Sequence, residues 1–200
     1  MTSIQNLNKE QKILLLELLE EKQYRLSGKK LWTYFKDEGD LRRELYKKHL
    51  EFFQAGTKYR ERLVMAGNRV GKTESIGGYE TTLHLTGLYP DWWNGRRFDR
   101  PIRAWVAGKT NETSRDIVQT KLFGSVSWRD GKKTFAGDGL VPRDCIGEIT
   151  WKQGVQNMAD TVMVKHKSGW SVVGIKSYQQ GRGSFEGTER EWIWLDEEPP

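Results

Sequence analysis

One stretch decides the fold: Leu63-Val64-Met65-Ala66-Gly67-Asn68-Arg69-Val70-Gly71-Lys72-Thr73. The apolar run from Leu63 to Ala66 predicts a short buried strand, and Gly71-Lys72-Thr73 opens a helix after a tight loop. This strand, loop and helix make the pattern of a phosphate-binding P-loop, with Ala66 where the usual pattern has its first glycine. The inward N–H groups of such a loop and the free N–H groups of the helix N-terminus attract an anion.

The phosphate-binding residues are therefore predicted to be Ala66, Gly67, Asn68, Arg69, Val70, Gly71, Lys72 and Thr73. We expect Lys72 to reach the β- and γ-phosphates of a nucleotide and the Thr73 hydroxyl to hold Mg²⁺. For the loop alone, the alternative is a strand–turn–helix corner that carries a Gly-Lys-Thr triplet by chance.

A second apolar run, Trp192 to Leu195, ends in three carboxylates, Asp196-Glu197-Glu198. This is the Walker B pattern, in which a buried strand delivers acidic side chains at the sheet edge where ligands of α/β proteins bind. We expect Asp196 to hold Mg²⁺ through water and Glu197 to orient and polarise the attacking water. Two such motifs in this order favour a nucleotide hydrolase over the chance triplet.

Composition limits the class of protein. The chain has 200 residues, of which 36% are hydrophobic, so it can build a core, and its net charge is +6. A basic balance favours an anionic partner, although many soluble proteins are mildly basic. The single cysteine, Cys145, excludes a disulfide framework and a cysteine zinc site. With no signal peptide and no apolar run near the roughly 18 residues of a membrane span, we expect a soluble, cytoplasmic protein.

The chain divides into a helical segment, 1–56, and an ATPase core, 57–200. Helices are predicted from Asn8 to Ser27-Gly28, around Leu31 to Gly39, and from Asp40 to Gly56. In the core we predict a helix from Lys72, with its Gly77-Gly78 pair packed closely on the sheet, and a strand over 102–107. A second helix is predicted over 113–123, with Ile117, Val118 and Leu122 on one face. A long loop over 124–143 and a hairpin of 160–166 with 170–175 follow.

Two further segments leave alternatives open. The loop from Tyr89 to Arg97 interleaves tryptophan with arginine, which suits a nucleic acid as well as a packed surface loop. Gly108-Lys109-Thr110 repeats the triplet without a glycine-led loop before it. We interpret it as a strand end and helix cap, with a nucleotide or DNA contact as the alternative.

Alternating strands and helices predict an α/β fold, a RecA-like (ASCE) P-loop NTPase with a parallel sheet flanked by helices and an inserted β-hairpin. The combined motifs resemble the large terminase subunits of tailed bacteriophages, over their N-terminal ATPase portion. The residues that carry the resemblance are 49–53 (HLEFF), 66–73 (AGNRVGKT), 113–116 (TSRD), 176–182 (KSYQQGR) with Phe185 and Gly187, and 194–199 (WLDEEP).

The resemblance implies an ATP-driven motor that moves double-stranded viral DNA into a procapsid in the host cytoplasm, with no membrane involved. The implied cofactors are ATP and Mg²⁺. The implied partners are the portal protein, on which the subunits form a ring, and the small terminase subunit. It assigns catalysis to Glu197 and Lys72, the metal to Thr73 and Asp196, and γ-phosphate sensing to Arg69. It also places Phe52 and Phe53 near the adenine, where core packing would demand the same residues.

The family continues past Walker B with a nuclease domain, so the stop at Pro200 suggests a chain truncated after the Walker B strand, with an exposed sheet edge. Two alternatives remain at this point. One is another P-loop DNA translocase or helicase, and the other is an inactive remnant that binds nucleotide without turnover.

Overall fold

The computed structural model describes residues 11–16, 30–67 and 69–198. Its strands are β1 (Arg103–Gly108), β2 (Val126–Arg129), β3 (Lys132–Phe135), β4 (Ile146–Trp151), β5 (Ala159–His166), β6 (Gly169–Ser177) and β7 (Trp192–Leu195). The predicted strands at 102–107 and 192–195 and the predicted hairpin of 160–166 with 170–175 are confirmed. Each of these segments combines β-branched or aromatic residues with turn residues at its ends.

The main sheet has the strand order β4-β5-β6-β1-β7. It is mixed, which corrects the prediction of a parallel sheet: β1 runs parallel to β6 and β7, whereas β4, β5 and β6 pair antiparallel. The short turn from His166 to Gly169 allows only antiparallel pairing of β5 with β6, because parallel neighbours need a long crossover. The parallel part brings the carboxyl ends of β6, β1 and β7 to one edge.

The helical elements flank this sheet. Before the P-loop lie the 3₁₀ turns Lys30–Thr33 and Arg43–Tyr46 and the α-helix Lys47–Ala55. After it, a π-helical turn, Lys72–Gly78, continues as the α-helix Tyr79–Thr86, and a second core helix has three parts, Asn111–Thr113, Ser114–Gln119 and Thr120–Phe123. Three further 3₁₀ turns are Arg143–Cys145, Tyr178–Gln180 and Arg182–Phe185. In the described part of the chain, no helix is long and apolar enough to cross a membrane.

The N-terminal helices are shorter than predicted. Residues 11–16 are helical, and the predicted stop at Ser27-Gly28 lies outside the described residues. The turn that begins at Lys30 ends at Thr33 rather than Gly39, because Phe35 takes a positive φ of 53° and redirects the chain into the core. The helix predicted from Asp40 starts instead as a 3₁₀ turn at Arg43 and becomes α-helical at Lys47.

The strand predicted before the P-loop is not formed. Residues 61–67 are outside any helix or strand, and the side chains of Leu63 and Met65 are 81% and 86% exposed. An apolar run becomes a strand only beside a neighbour that completes its hydrogen bonds, and no described strand lies beside this one. Arg62 fixes the start of the segment, donating to the carbonyl of Phe52 (2.7 Å) and to the buried carboxylate of Glu80 (3.0 Å).

The principal core lies on the sheet face that carries Val106 and Trp194, against both core helices. The predicted close packing of Gly77 is confirmed, because a Cβ there would lie 2.2 Å from the indole of Trp194. On the second helix Val118 and Leu122 are buried as predicted, whereas the side chain of Ile117 is 39% exposed. Gly108-Lys109-Thr110 is a strand end and helix cap, since the Thr110 hydroxyl accepts from the Thr113 N–H at 3.2 Å.

A second, largely aromatic core joins the segment 30–56 to the helix after the P-loop; its buried members are Leu31, Phe35, Phe53, Ile76, Tyr79, Leu83 and Trp93. Trp93 comes from the tryptophan and arginine loop, and its N–H donates to the carbonyl of Arg96 at 3.0 Å. Of the two interpretations of this loop, Trp93 therefore fits the packed surface loop. Phe53 is fully buried here, as the packing alternative for it required.

The prediction of a long loop over 124–143 is wrong in part. β2 and β3 lie inside it and pair antiparallel as a separate two-stranded sheet. Its turn is Asp130-Gly131, both with positive φ, which is the geometry that suits a two-residue hairpin.

Candidate functional site

The loop 66–73 and the end of β7 meet at one edge of the sheet. The Thr73 hydroxyl donates a hydrogen bond to Oδ1 of Asp196 at 2.9 Å, across 123 residues of sequence. The Asp196 N–H donates to the carbonyl of Ala107 at 2.8 Å, which fixes the carboxylate at the carboxyl end of the parallel strands. The two motifs found separately in the sequence thus form one site.

Gly71 shapes the loop before the helix. Its φ of 85° is in the left-handed region, and a Cβ there would lie 2.1 Å from the hydroxyl of Ser75. Its carbonyl accepts from the N–H groups of Ser75 (2.8 Å) and Ile76 (3.2 Å), which starts the helix with a π turn. Only glycine combines this conformation with so close an approach.

Lys72 folds back on the loop that precedes it. Its ammonium donates to the carbonyl oxygens of Ala66 and Gly67, the latter at 3.1 Å. These neutral acceptors hold the cation over the loop without neutralising it. Arg69, also in the loop, is exposed with a positive φ of 62°. Asn68, predicted to bind phosphate, lies outside the described residues.

Asp196 is a half-buried carboxylate in a setting that disfavours its charge. Burial raises the pKa of Asp196, the hydrogen bond from Thr73 opposes this, and the neighbouring Glu197 raises the pKa further. A divalent cation would relieve this cost, and a carboxylate with a hydroxyl is an oxygen donor pair that suits Mg²⁺. In the described ranges no three His, Cys, Asp or Glu side chains cluster as metal ligands.

Glu197 follows with a left-handed backbone, at a φ of 66°. Such a conformation is costly for a residue with a Cβ and persists only where the surroundings hold it. Tyr178 provides that hold, because its hydroxyl lies 3.2 Å from the carbonyl of Asp196 and 3.0 Å from that of Glu197 and donates to them. Burial, Asp196 and Glu197 together raise the pKa of Tyr178 to about 12, so the hydroxyl remains a donor at neutral pH.

We expect Tyr178→Phe to lower turnover about 10-fold while nucleotide affinity stays within about 2-fold, because the lost hydrogen bonds orient the 196–197 turn and do not touch the loop. Steady-state phosphate release and calorimetric titration of a non-hydrolysable ATP analogue measure the two effects. Tyr59→Phe, at an exposed tyrosine remote from this turn, is the control. A fall in affinity as large as the fall in turnover would contradict the orienting role.

Glu74, one residue after Thr73, forms ion pairs with two lysines, and the sequence analysis did not predict this role. Its carboxylate pairs with the ammonium of Lys30 at 2.9 Å and with that of Lys121 at 2.6 Å. Burial raises the pKa of Glu74, but hydrogen bonds from Lys121, Lys30 and Tyr34 outweigh burial and bring the pKa to about 2. Two separate segments, around 30–34 and at Lys121, are thereby tied to the first turn of the helix. No local pattern marks such a residue, because its partners are distant in sequence.

The low pKa of Glu74 predicts a pH dependence of stability. A carboxylate with a depressed pKa stabilises the fold above its ordinary pKa, and this stabilisation is lost as the pH falls toward the folded value of about 2. We expect Glu74→Gln to lower the free energy of unfolding at pH 7, with the deficit shrinking between pH 4.5 and 2. Urea unfolding of both proteins across this range measures it. Glu38→Gln, at an exposed glutamate, should show no such trend; a pH-independent deficit for Glu74→Gln would contradict the assignment.

A cavity of about 240 Å³ adjoins the loop; it is lined by Tyr34, Phe35, Leu41, Tyr46, Arg69, Val70, Gly71, Glu74 and Ser75. Aromatic rings from the segment 30–46 form one wall, and loop residues form the other. The ring of His49 lies against Tyr46 and Phe35, close to Gly71. The cavity thus combines aromatic ring surfaces with the backbone of the glycine loop and the carboxylate of Glu74.

The comparisons with known proteins agree on one family. The family model "Terminase large subunit, T4likevirus-type, N-terminal" matches residues 63–200. The large terminase subunit of Salmonella phage P22 is 35% identical over 98% of this chain and 40% of its own length. The chain therefore spans about two fifths of the length of that relative. No solved structure matches.

Proposed function

Because this chain belongs to the large terminase subunit family, over the N-terminal portion of its members, we propose that it binds ATP and Mg²⁺ and hydrolyses ATP to drive viral DNA into a procapsid. The observation that carries the proposal is the Thr73–Asp196 hydrogen bond, which joins the phosphate-binding loop to the acidic strand end. A chance Gly-Lys-Thr triplet would have no reason to meet a carboxylate 123 residues away.

Different residues of the site would bind the phosphates, hold the metal and activate the water. The N–H groups of the 66–73 loop and the ammonium of Lys72 bind the phosphates, once Lys72 leaves the carbonyls of Ala66 and Gly67. Thr73 and Asp196 would hold Mg²⁺, which would supply positive charge against the phosphate oxygens. Glu197, reaching beyond Asp196, orients the attacking water and accepts its proton. Arg69 reaches the γ-phosphate from the loop and stabilises the charge that develops there.

We propose that the nucleoside part of ATP binds in the 240 Å³ cavity beside the loop. Tyr34 and Tyr46 would offer ring surfaces to the base, and Glu74, which is paired with Lys30 and Lys121, also lines the cavity. The base would then contact the segment 30–46 rather than Phe53, which is fully buried in the aromatic core.

The partners follow from the family as proposals. We infer that the chain works on double-stranded viral DNA in the host cytoplasm, docked on the portal as a homo-oligomeric ring after the small terminase subunit delivers the DNA. Phosphate release should rise on addition of duplex DNA together with portal protein. ATP binding without any phosphate release, in a folded chain, would favour the inactive remnant over the motor.

A further inference from the structure

The hairpin of β2 and β3 forms a sheet of its own, anchored at its base and through Lys133, whose ammonium lies over the ring of Trp151. Phe135 is buried and stacks on Phe123, with ring centroids 5.2 Å apart. Beside it, the N–H of Ala136 donates to the carbonyl of Ser125 at 2.8 Å. An isolated two-stranded hairpin is only marginally stable in water, so these contacts with the rest of the fold stabilise it. The tip, residues 129–132, is exposed and can meet a partner.

The tip carries charge that the rest of the molecule does not balance. The ten residues 126–135 include three cations, Arg129, Lys132 and Lys133, against one carboxylate, Asp130. Arg129 lies directly opposite Lys132 in the strand register. Like charges at directly opposed positions destabilise a hairpin. None of the ion pairs between described residues involves these three cations.

The hairpin also carries a solvent-exposed tryptophan, Trp128. Trp128 is 72% exposed, the largest exposed fraction of any aromatic side chain in the described ranges. Its cross-strand partner is Lys133. Because side chains alternate along a strand, Trp128 and Lys133 lie on one face of the ribbon, and Arg129 and Lys132 lie on the other. The Lys133 ammonium lies 4.1 Å from the centroid of the Trp151 ring, so this cation rests on β4. Arg129 and Lys132, on the other face, are exposed.

From this arrangement we infer that the β2–β3 tip is a binding site for duplex DNA and enters the major groove. A two-stranded ribbon has the width that this groove admits. Arg129 and Lys132, which are opposed on the exposed face, match the phosphates of the groove wall. Trp128 packs against sugar and base edges. The choice of DNA as the anion rests on the proposed function, but the contact requires no ATP hydrolysis.

The test measures binding of this chain to a 30-base-pair duplex of arbitrary sequence, without nucleotide, by fluorescence anisotropy across a salt series. The double variant Arg129→Gln with Lys132→Gln removes two phosphate contacts. We expect its affinity at about 0.1 M salt to fall at least 10-fold, and the slope of log affinity against log salt to decrease by about 2. Trp128→Ala should weaken binding with the slope unchanged, because the indole displaces no counterion.

The matched control is Arg60→Gln with Lys58→Gln, which removes the same charges from exposed positions elsewhere. Equal losses in both double variants would mean that only net charge matters and would overturn the inference. Failure of the parent chain to bind duplex would also overturn it, while nucleotide titration would still test the ATPase proposal separately. Unchanged DNA affinity with lost binding to portal protein would instead assign the tip to a protein contact. Thermal unfolding of each variant confirms that the exposed substitutions leave the fold intact.

Discussion

Glu197→Gln is expected to retain ATP binding and to lose turnover by a factor on the order of 10² or more. The amide keeps the size and hydrogen bonding of the side chain but can neither accept the proton of the attacking water nor polarise it. Affinity survives because the loop 66–73, Thr73 and Asp196 are untouched. The left-handed backbone at Glu197, held by Tyr178, gives the side chain a fixed starting direction.

The measurement pairs single-turnover phosphate release with calorimetric titration of a non-hydrolysable ATP analogue. Glu198→Gln is the matched control, since Glu198 is the next, exposed carboxylate on the same turn. If Glu197→Gln hydrolyses ATP at the parental rate while Glu198→Gln is inactive, the catalytic role belongs to Glu198.

Lys72→Ala is expected to weaken binding of the ATP analogue about 10- to 100-fold, which is the usual range for loss of a charge-assisted hydrogen bond. The fold should persist, because among the described residues the Lys72 ammonium donates hydrogen bonds to the exposed loop carbonyls of Ala66 and Gly67 and to no core group. The chain provides its own control in Lys109→Ala, the exposed lysine of the second Gly-Lys-Thr triplet.

Equal calorimetric affinities for the parent and the Lys72→Ala variant would make Lys72 an ordinary surface lysine. A matching loss for Lys109→Ala would instead restore the nucleotide-contact alternative for the second triplet. Thermal unfolding of both variants distinguishes a lost phosphate contact from a lost fold.

The sequence predicted those parts of the fold that short-range pattern determines. β1, the β5–β6 hairpin and β7 are marked by apolar alternation and turn residues, and the helix from Lys72 is marked by its glycine and buried face. The sequence motifs assign Thr73 and Asp196 to the same Mg²⁺ and so predict that the two residues lie close together. Their contact at 2.9 Å agrees with that expectation.

The failures each have a physical cause. The run Leu63 to Ala66 has the composition of a strand, but strand formation depends on a neighbour that local sequence cannot specify. The β2–β3 hairpin does carry a signal, the Asp130-Gly131 pair, within the polar, glycine-rich segment that predicts a long loop. Tyr178 lies in the 176–182 stretch of the family resemblance, but its role and that of Glu74 have no local signal, because they come from partners 18 or more residues away.

The segment 61–67, which has no strand partner among the described residues, affects the thermodynamics of ligand binding. Without a strand ladder, its amide hydrogens should exchange with deuterium far faster than those of β1 and β6, which are paired on both sides. A nucleotide that closes the loop would slow this exchange, and part of its binding free energy would be spent on ordering the arm that leads into the loop. Affinity for ATP would then report the stiffness of this arm as well as the quality of the phosphate contacts.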